Sequence, residues 1–158
     1  MMNVLHEIDV NEWVTAFQDI YRLLKLNGYL LIFDVISLSS GEQPFGDSGY
    51  IFLGEKQINE LFKQLDIKSI DLNIGDKSNF FIITKQECGN VSQNTIKLAL
   101  ESLKNDVYDE LKKDFSKKNK YAKSKSFVDY DISRKYAFLS QHYINILFAL
   151  ERFESISP

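Results

Sequence analysis

The sequence predicts an α/β layer followed by a helical extension, and three observations lead to this fold class. Residues 9–26 carry apolar side chains at helical spacing and lead directly into Tyr29–Val35, a continuous apolar run typical of a strand covered on both faces. Alternation over 70–74, followed by a turn and an apolar run over 80–83, predicts an antiparallel hairpin. Beyond residue 89 the apolar residues recur at helical spacing, which predicts helices.

The first predicted helix has signals at both ends. Asp9 is a suitable cap for its start, and Glu12, three residues later, completes a pair that resembles a capping box. Asn27-Gly28 is expected to end the helix because either residue tolerates a left-handed backbone. The apolar face consists of four residues at helical spacing, Trp13, Phe17, Ile20 and Leu24.

Two further segments complete the predicted α/β layer. A long loop is expected over 37–54, because this stretch holds four of the seven glycines, and loops of that length are often functional. It leads into a second amphipathic helix over Glu55–Leu65.

The apolar spacing in the C-terminal region predicts two helices. One apolar stripe consists of Ile96, Leu100, Leu103, Val107 and Leu111, and the other of Leu139, Tyr143, Ile146, Leu147 and Leu150. Between the stripes, residues 112–126 carry seven lysines and little that can pack, and we interpret them as a solvated connector. The alternative is a site for an anionic partner such as RNA, whose bases would stack on Phe115 and Tyr121.

Composition narrows the classes of function. The chain has 158 residues, 44% of them hydrophobic and 26% charged, which is typical of one soluble domain with a core. A net charge of −3 argues against attraction of nucleic acid over the whole surface, so we do not expect a nucleic-acid partner. Cys88 is the only cysteine and there are only two histidines, so the sequence shows neither a disulfide framework nor a zinc signature.

The sequence also bears on the compartment. No apolar run approaches the roughly 20 residues that a membrane-spanning helix needs. The N-terminus lacks the basic start and apolar stretch of a signal peptide. We therefore expect a cytoplasmic protein that does not bind a membrane.

The order of these parts resembles a known family. Asn3-Val4-Leu5-His6-Glu7-Ile8, a helix, the turn Leu24-Lys25-Leu26-Asn27-Gly28 and a buried strand ending at Asp34 are similar to the second half of a class I S-adenosylmethionine-dependent methyltransferase. The resemblance covers about residues 2–87 and implies part of a Rossmann-like sheet that closes with an antiparallel hairpin. It maps Tyr29–Val35 to strand five, Lys68–Ile74 to strand six and Asn79–Thr84 to strand seven.

The departures from the family concern the cofactor. The family holds S-adenosylmethionine through a Gly-rich turn after its first strand and an acidic residue after its second, and this sequence has no G-x-G-x-G run. We therefore divide the chain into the C-terminal half of a methyltransferase domain, 1–88, and a helical extension, 89–158. The cofactor half is expected from a separate chain or from sequence preceding Met1, and cofactor binding by this chain alone is doubtful.

The resemblance also implies roles for individual residues. In the plant-type O-methyltransferases the histidine that matches His6 is a general base, a role that suits a group whose pKa lies near neutrality. Asp34 would orient that imidazole, and Glu7 either takes part in catalysis or pairs with a basic group. Asn3 is expected near the amino-acid end of the cofactor, and Glu42, in the loop after strand five, near the substrate.

Two classes of function remain open at this point. In the first, the chain is part of an enzyme that transfers a methyl group to an oxygen or nitrogen of an unidentified acceptor. In the second, it is a non-catalytic remnant that serves as a dimerisation or protein-interaction module. An apolar strand such as Tyr29–Val35 with one open edge favours pairing with a complementary half or with a second copy.

Overall fold

The computed structural model has an α/β architecture in which helices predominate. It describes residues 5–35, 50–64, 67, 70–71, 78–123 and 130–155. The helices are α1 (Trp13–Leu23), α2 (Glu55–Phe62), α3 (Lys85–Cys88), α4 (Gln93–Lys123) and α5 (Tyr130–Ser155). The strands are β1 (Tyr29–Val35), β2 (Ile70–Asp71) and β3 (Ser78–Thr84).

The three strands form one antiparallel sheet in the order β1-β3-β2. The predicted antiparallel pairing is confirmed where it is described, since Ile70 pairs with Phe80 across β2 and β3. Residues 68–69 and 72–77 of the predicted hairpin lie outside the described residues. β3 also pairs with β1 over its whole length, from Tyr29 opposite Thr84 to Val35 opposite Ser78. β1 is therefore an edge strand among the described residues.

The alternation along β1 decides which of its side chains reach the core. Leu30, Ile32 and Asp34 are buried, whereas the residues between them are only half-buried and Tyr29 is exposed. On β3 the buried residues are Phe81 and Ile83, which lie opposite Ile32 and Leu30. One face of the sheet thus belongs to the core, and Asp34 lies on that face.

Helix α1 is shorter than the predicted helix over 9–26. Asp9 accepts a hydrogen bond from the Asn11 amide at 3.0 Å, as a cap does, but it caps a short 3₁₀ turn, Val10–Glu12, that precedes α1. The helix ends when Leu24 becomes extended, and Asn27-Gly28 belongs to the turn before β1. Within that turn the Gly28 amide donates to the Lys25 carbonyl at 2.8 Å.

Helix α2 ends earlier than the predicted segment Glu55–Leu65. Lys63 adopts a left-handed backbone with φ 53°, so the helix stops at Phe62. Leu65 lies outside the described residues. The Gln57 side chain accepts from the Gly54 amide at 3.2 Å and so closes the start of the helix.

One hydrophobic core runs through the α/β layer and the helical extension. Its centre includes Trp13 and Phe17 of α1, and Phe62 of α2, which meets Phe17 edge to face at a ring distance of 5.1 Å. The predicted α4 stripe is confirmed, with four residues buried and Leu111 packed against the core. In the α5 stripe the prediction that Leu147 is buried is wrong, since its side chain is exposed.

Helix α4 includes most of the segment that we interpreted as a connector. It continues to Lys123, so residues 112–123 of the lysine-rich stretch 112–126 are helical. Lys112 pairs with Asp109 at 2.9 Å and lies over the Tyr108 ring at 4.2 Å. None of the described helices is long and apolar enough to cross a membrane.

Candidate functional site

His6 is positioned by a 3₁₀ turn, Leu5–Glu7, that is anchored in the core. The neighbouring Leu5 side chain is buried, which fixes the turn against the protein interior. The Trp13 indole N–H donates to the Ile8 carbonyl at 3.0 Å and ties the chain after His6 to the start of α1. The His6 side chain remains only 12% exposed.

Asp34, near the end of β1, forms hydrogen bonds with His6. The His6 amide donates to Asp34 Oδ2 at 3.1 Å, and the Val35 amide donates to Oδ1 at 2.9 Å. His6 Nδ1 is in close hydrogen-bond contact with Oδ1. The buried carboxylate is thus satisfied by two backbone donors and one imidazole, as a buried charge requires.

This contact fixes the tautomer of the neutral imidazole. Because the Asp34 carboxylate accepts, Nδ1 of His6 carries the proton and Nε2 presents its lone pair. Burial lowers the pKa of His6, but the hydrogen bond and charge of Asp34, together with the charge of Glu7, raise it above 6.5. The arrangement is that of a base oriented by a carboxylate that also stabilises its protonated form.

Glu7 lies on the other side of the imidazole. Its Oε1 is 3.8 Å from His6 Nε2, and its side chain is half exposed. Among the described residues, no lysine or arginine forms an ion pair with Glu7. A carboxylate beside Nε2 favours the protonated imidazole.

Two aromatic residues enclose the His6 ring. Phe52 stacks on it with ring centroids 5.4 Å apart and planes 20° apart, and Tyr50 lies at 5.3 Å and 55°. Both belong to the described end of the loop predicted over 37–54. Sequence reasoning placed function in that loop but selected Glu42 rather than these rings.

His142 of α5 is a second histidine near the site, and sequence reasoning missed it. It is buried, and its Nε2 accepts a hydrogen bond from the Phe52 amide at 3.2 Å. Burial lowers the pKa of His142 to about 4, so the imidazole is neutral near pH 7. Its spacing of three residues from Leu139 and four from Ile146 put it on the apolar face of a predicted helix, which was the available signal.

The predicted site residues therefore fall into two groups. His6, Glu7 and Asp34 come together, although they are separated in sequence by up to 28 residues. Asn3 and Glu42 lie outside the described residues. Among the described residues, no group of three or more metal-ligating side chains is placed to hold a metal ion.

The described glycines do not fit the grip of a nucleoside cofactor. A Cβ added at any of the three would meet a nearby protein atom within 3.1 Å, so each glycine is closed by its own surroundings: Gly28, Gly54 and Gly89. A backbone that approaches a cofactor closely would instead face open space at such a glycine. None of the three described glycines therefore offers an open backbone approach of that kind.

Comparisons with known proteins identified no similar protein. Neither a scan against protein-family models nor searches of curated proteins and of solved structures found a match. The candidate site is therefore interpreted from its own geometry and from the resemblance described above.

Proposed function

We propose that this chain is the substrate-side part of a class I S-adenosylmethionine-dependent methyltransferase, which needs a complementary half to act. The contact between His6 Nδ1 and the Asp34 carboxylate carries the proposal. The resemblance to the plant-type O-methyltransferases predicts this contact, which joins two segments 28 residues apart. The methyl acceptor is a molecule with a hydroxyl or amine.

The strand order supports the same proposal. A class I methyltransferase sheet ends with strand seven antiparallel between strands five and six. The order β1-β3-β2, with both pairings antiparallel, corresponds to this end of the sheet when β1 is strand five. The free edge of β1 would then be the place of strand four.

In the proposed reaction His6 removes a proton from the acceptor. The proton leaves the hydroxyl or amine and is held at Nε2, while Nδ1–H continues to donate to Asp34. The positive charge of the imidazolium then lies between the carboxylates of Asp34 and Glu7. We propose that the complementary half binds the cofactor, so no step here depends on contacts with it.

The test is calorimetric titration with S-adenosylmethionine and S-adenosylhomocysteine. We would titrate the chain of 158 residues and the same chain extended by whatever the reading frame encodes before Met1. The proposal expects no binding to the shorter chain and micromolar binding to the extended one. If the extension contains a Gly-rich turn and both chains are folded, binding to neither would overturn the proposal.

Activity of the extended chain would then test the base. His6→Ala should lose methyl transfer by about 10²–10⁴-fold while cofactor affinity stays unchanged. Lys56→Ala is a suitable control, since that exposed side chain pairs with Asp106 on the surface. Unchanged transfer by His6→Ala would restrict His6 to a packing role.

The second candidate, a non-catalytic interaction module, is favoured by the outer face of the sheet. Beside the free edge of β1, Tyr29 is 60% exposed and Ile82 of β3 is 45% exposed. An open edge next to apolar side chains promotes association. Light scattering at increasing concentration would reveal it, and Ile82→Lys should shift such a dimer to monomer.

A further inference from the structure

Residues 50–52 are held from two sides. The Ile51 amide donates to the His6 carbonyl at 3.2 Å. The next amide, that of Phe52, donates to His142 Nε2, also at 3.2 Å. This short extended segment therefore bridges the turn that carries His6 and helix α5 of the extension.

The Phe52 side chain makes the same connection through its ring. It stacks on His6 and meets His142 edge to face at a centroid distance of 5.2 Å. Phe138, one turn before His142 on α5, lies 5.7 Å from the same ring. Phe52 is only 3% exposed, so these contacts leave its ring little freedom to move.

We infer that His142 is a positioning residue for His6, acting through Phe52. The hydrogen bond from the Phe52 amide fixes the backbone of the loop end, and that backbone fixes the ring that lies flat on the His6 imidazole. The hydrogen bond to Asp34 alone does not lock the imidazole, because rotation about the Cβ–Cγ bond of His6 would carry Nδ1 away from the carboxylate. The stacked ring of Phe52 removes this freedom and so fixes the direction of Nε2.

A neutral histidine suits this role. Only a nitrogen without a proton can accept from the Phe52 amide, and burial keeps His142 in that form. The inference assigns the helical extension a part in the site, since His142 and Phe138 both belong to α5. It rests on the proposed function of His6 as a base, but its test observes the imidazole and requires no cofactor.

The test is nitrogen NMR of the His6 imidazole in ¹⁵N-labelled protein. The chain has only two histidines, so the His142→Gln variant leaves the His6 signals alone in the spectrum. Gln retains an acceptor for the Phe52 amide, whereas His142→Leu keeps the bulk and removes the acceptor. Leu150→Ala, a buried site two turns along α5, controls for general loosening of the helix.

Above the pKa of His6, wild type and His142→Gln should carry the proton on Nδ1. His142→Leu should show a mixture of tautomers and a His6 pKa lower by at least about half a unit. Leu150→Ala should resemble wild type. Unchanged His6 signals in folded His142→Leu, or equal changes in Leu150→Ala, would overturn the inference.

If His142→Leu does not fold, Phe52→Leu provides a second test of the inference. Phe52→Leu keeps the backbone amide and its acceptor but removes the stacked ring, so it should shift the tautomers as His142→Leu does. Wild-type tautomers in folded Phe52→Leu would overturn the inference independently. Failure of methyl transfer alone, with the tautomer shifts observed, would concern the proposed function and leave the positioning intact.

Discussion

Replacing Asp34 by Asn would remove the negative charge beside His6 and keep the shape of the side chain. A hydrogen bond to a charged group contributes about 1.5–3 kcal/mol. One pKa unit corresponds to about 1.4 kcal/mol, so the pKa of His6 should fall by about 1–2 units. Because burial then acts with less opposition, we expect the new pKa to lie below the ordinary value of 6.5.

The same change alters the dependence of stability on pH. In the wild type the pKa of His6 is raised on folding, so its stabilisation is complete below pH 6.5 and is lost as pH rises through the folded pKa. With the pKa lowered in Asp34→Asn, stability is instead lost as pH falls through 6.5. The difference in free energy of unfolding should therefore be larger at about pH 5.5 than at about pH 8.5, by roughly 1–2 kcal/mol.

The assay combines titration of the His6 Hε1 proton by NMR with urea unfolding at both pH values. A constant loss of about 1–3 kcal/mol is also expected, because Asn has one acceptor oxygen where Asp34 uses two, so a buried backbone donor loses its partner. Asp19→Asn is the control, since that carboxylate is exposed and pairs with Arg22. A His6 pKa within about 0.3 unit of wild type would refute the assigned role of Asp34.

Three further predictions concern stability. Because the pKa of His142 is lowered to about 4 on folding, the free energy of unfolding should fall by up to about 3 kcal/mol as pH falls from 6.5 to 4. His142→Gln should abolish this loss, and an acid transition by circular dichroism that is the same as in the wild type would contradict the prediction. Phe17→Ala should cost about 3–5 kcal/mol in urea unfolding, since the ring is fully buried, and a cost under about 1 kcal/mol would mean that α1 is not packed as described. Lys135→Ala should destabilise more than Lys112→Ala, because Lys135 lies 3.5 Å from a carboxylate oxygen of the buried Asp114; equal effects would show that the Asp114 charge is compensated elsewhere.

Much of the fold could be predicted from the sequence because side-chain periodicity reports burial directly. β1 occupies the predicted residues Tyr29–Val35, and the buried stripe of α4 matches its prediction. Backbone effects were not readable in this way: the left-handed Lys63 shortens α2, although lysine carries no signal for that conformation. The lysine-rich segment has few apolar residues, but charged side chains do not break a helix, and α4 continues through it to Lys123.

The site was readable only in part. The placement of His6 beside Asp34 followed from an ordered set of segments, each of which is weak when taken alone. The contact between Phe52 and His142 spans 90 residues, and no local pattern encodes which face of α5 meets which loop. The same limit explains Leu147, which fits the helical spacing of the buried stripe but lies on the exposed side of α5.

The separation between Phe52 and His142 has a consequence for the order of folding. His6 and Asp34 lie 28 residues apart, so they can meet early during synthesis, whereas the acceptor of the Phe52 amide is made 90 residues after it. Closing the longer loop costs more chain entropy and waits for α5 to leave the ribosome. A nascent chain that ends before Tyr130 would therefore contain the histidine–carboxylate pair but not the contact between Phe52 and His142 that positions the imidazole. The orientation of His6 becomes a late event, completed only after α5 has been made.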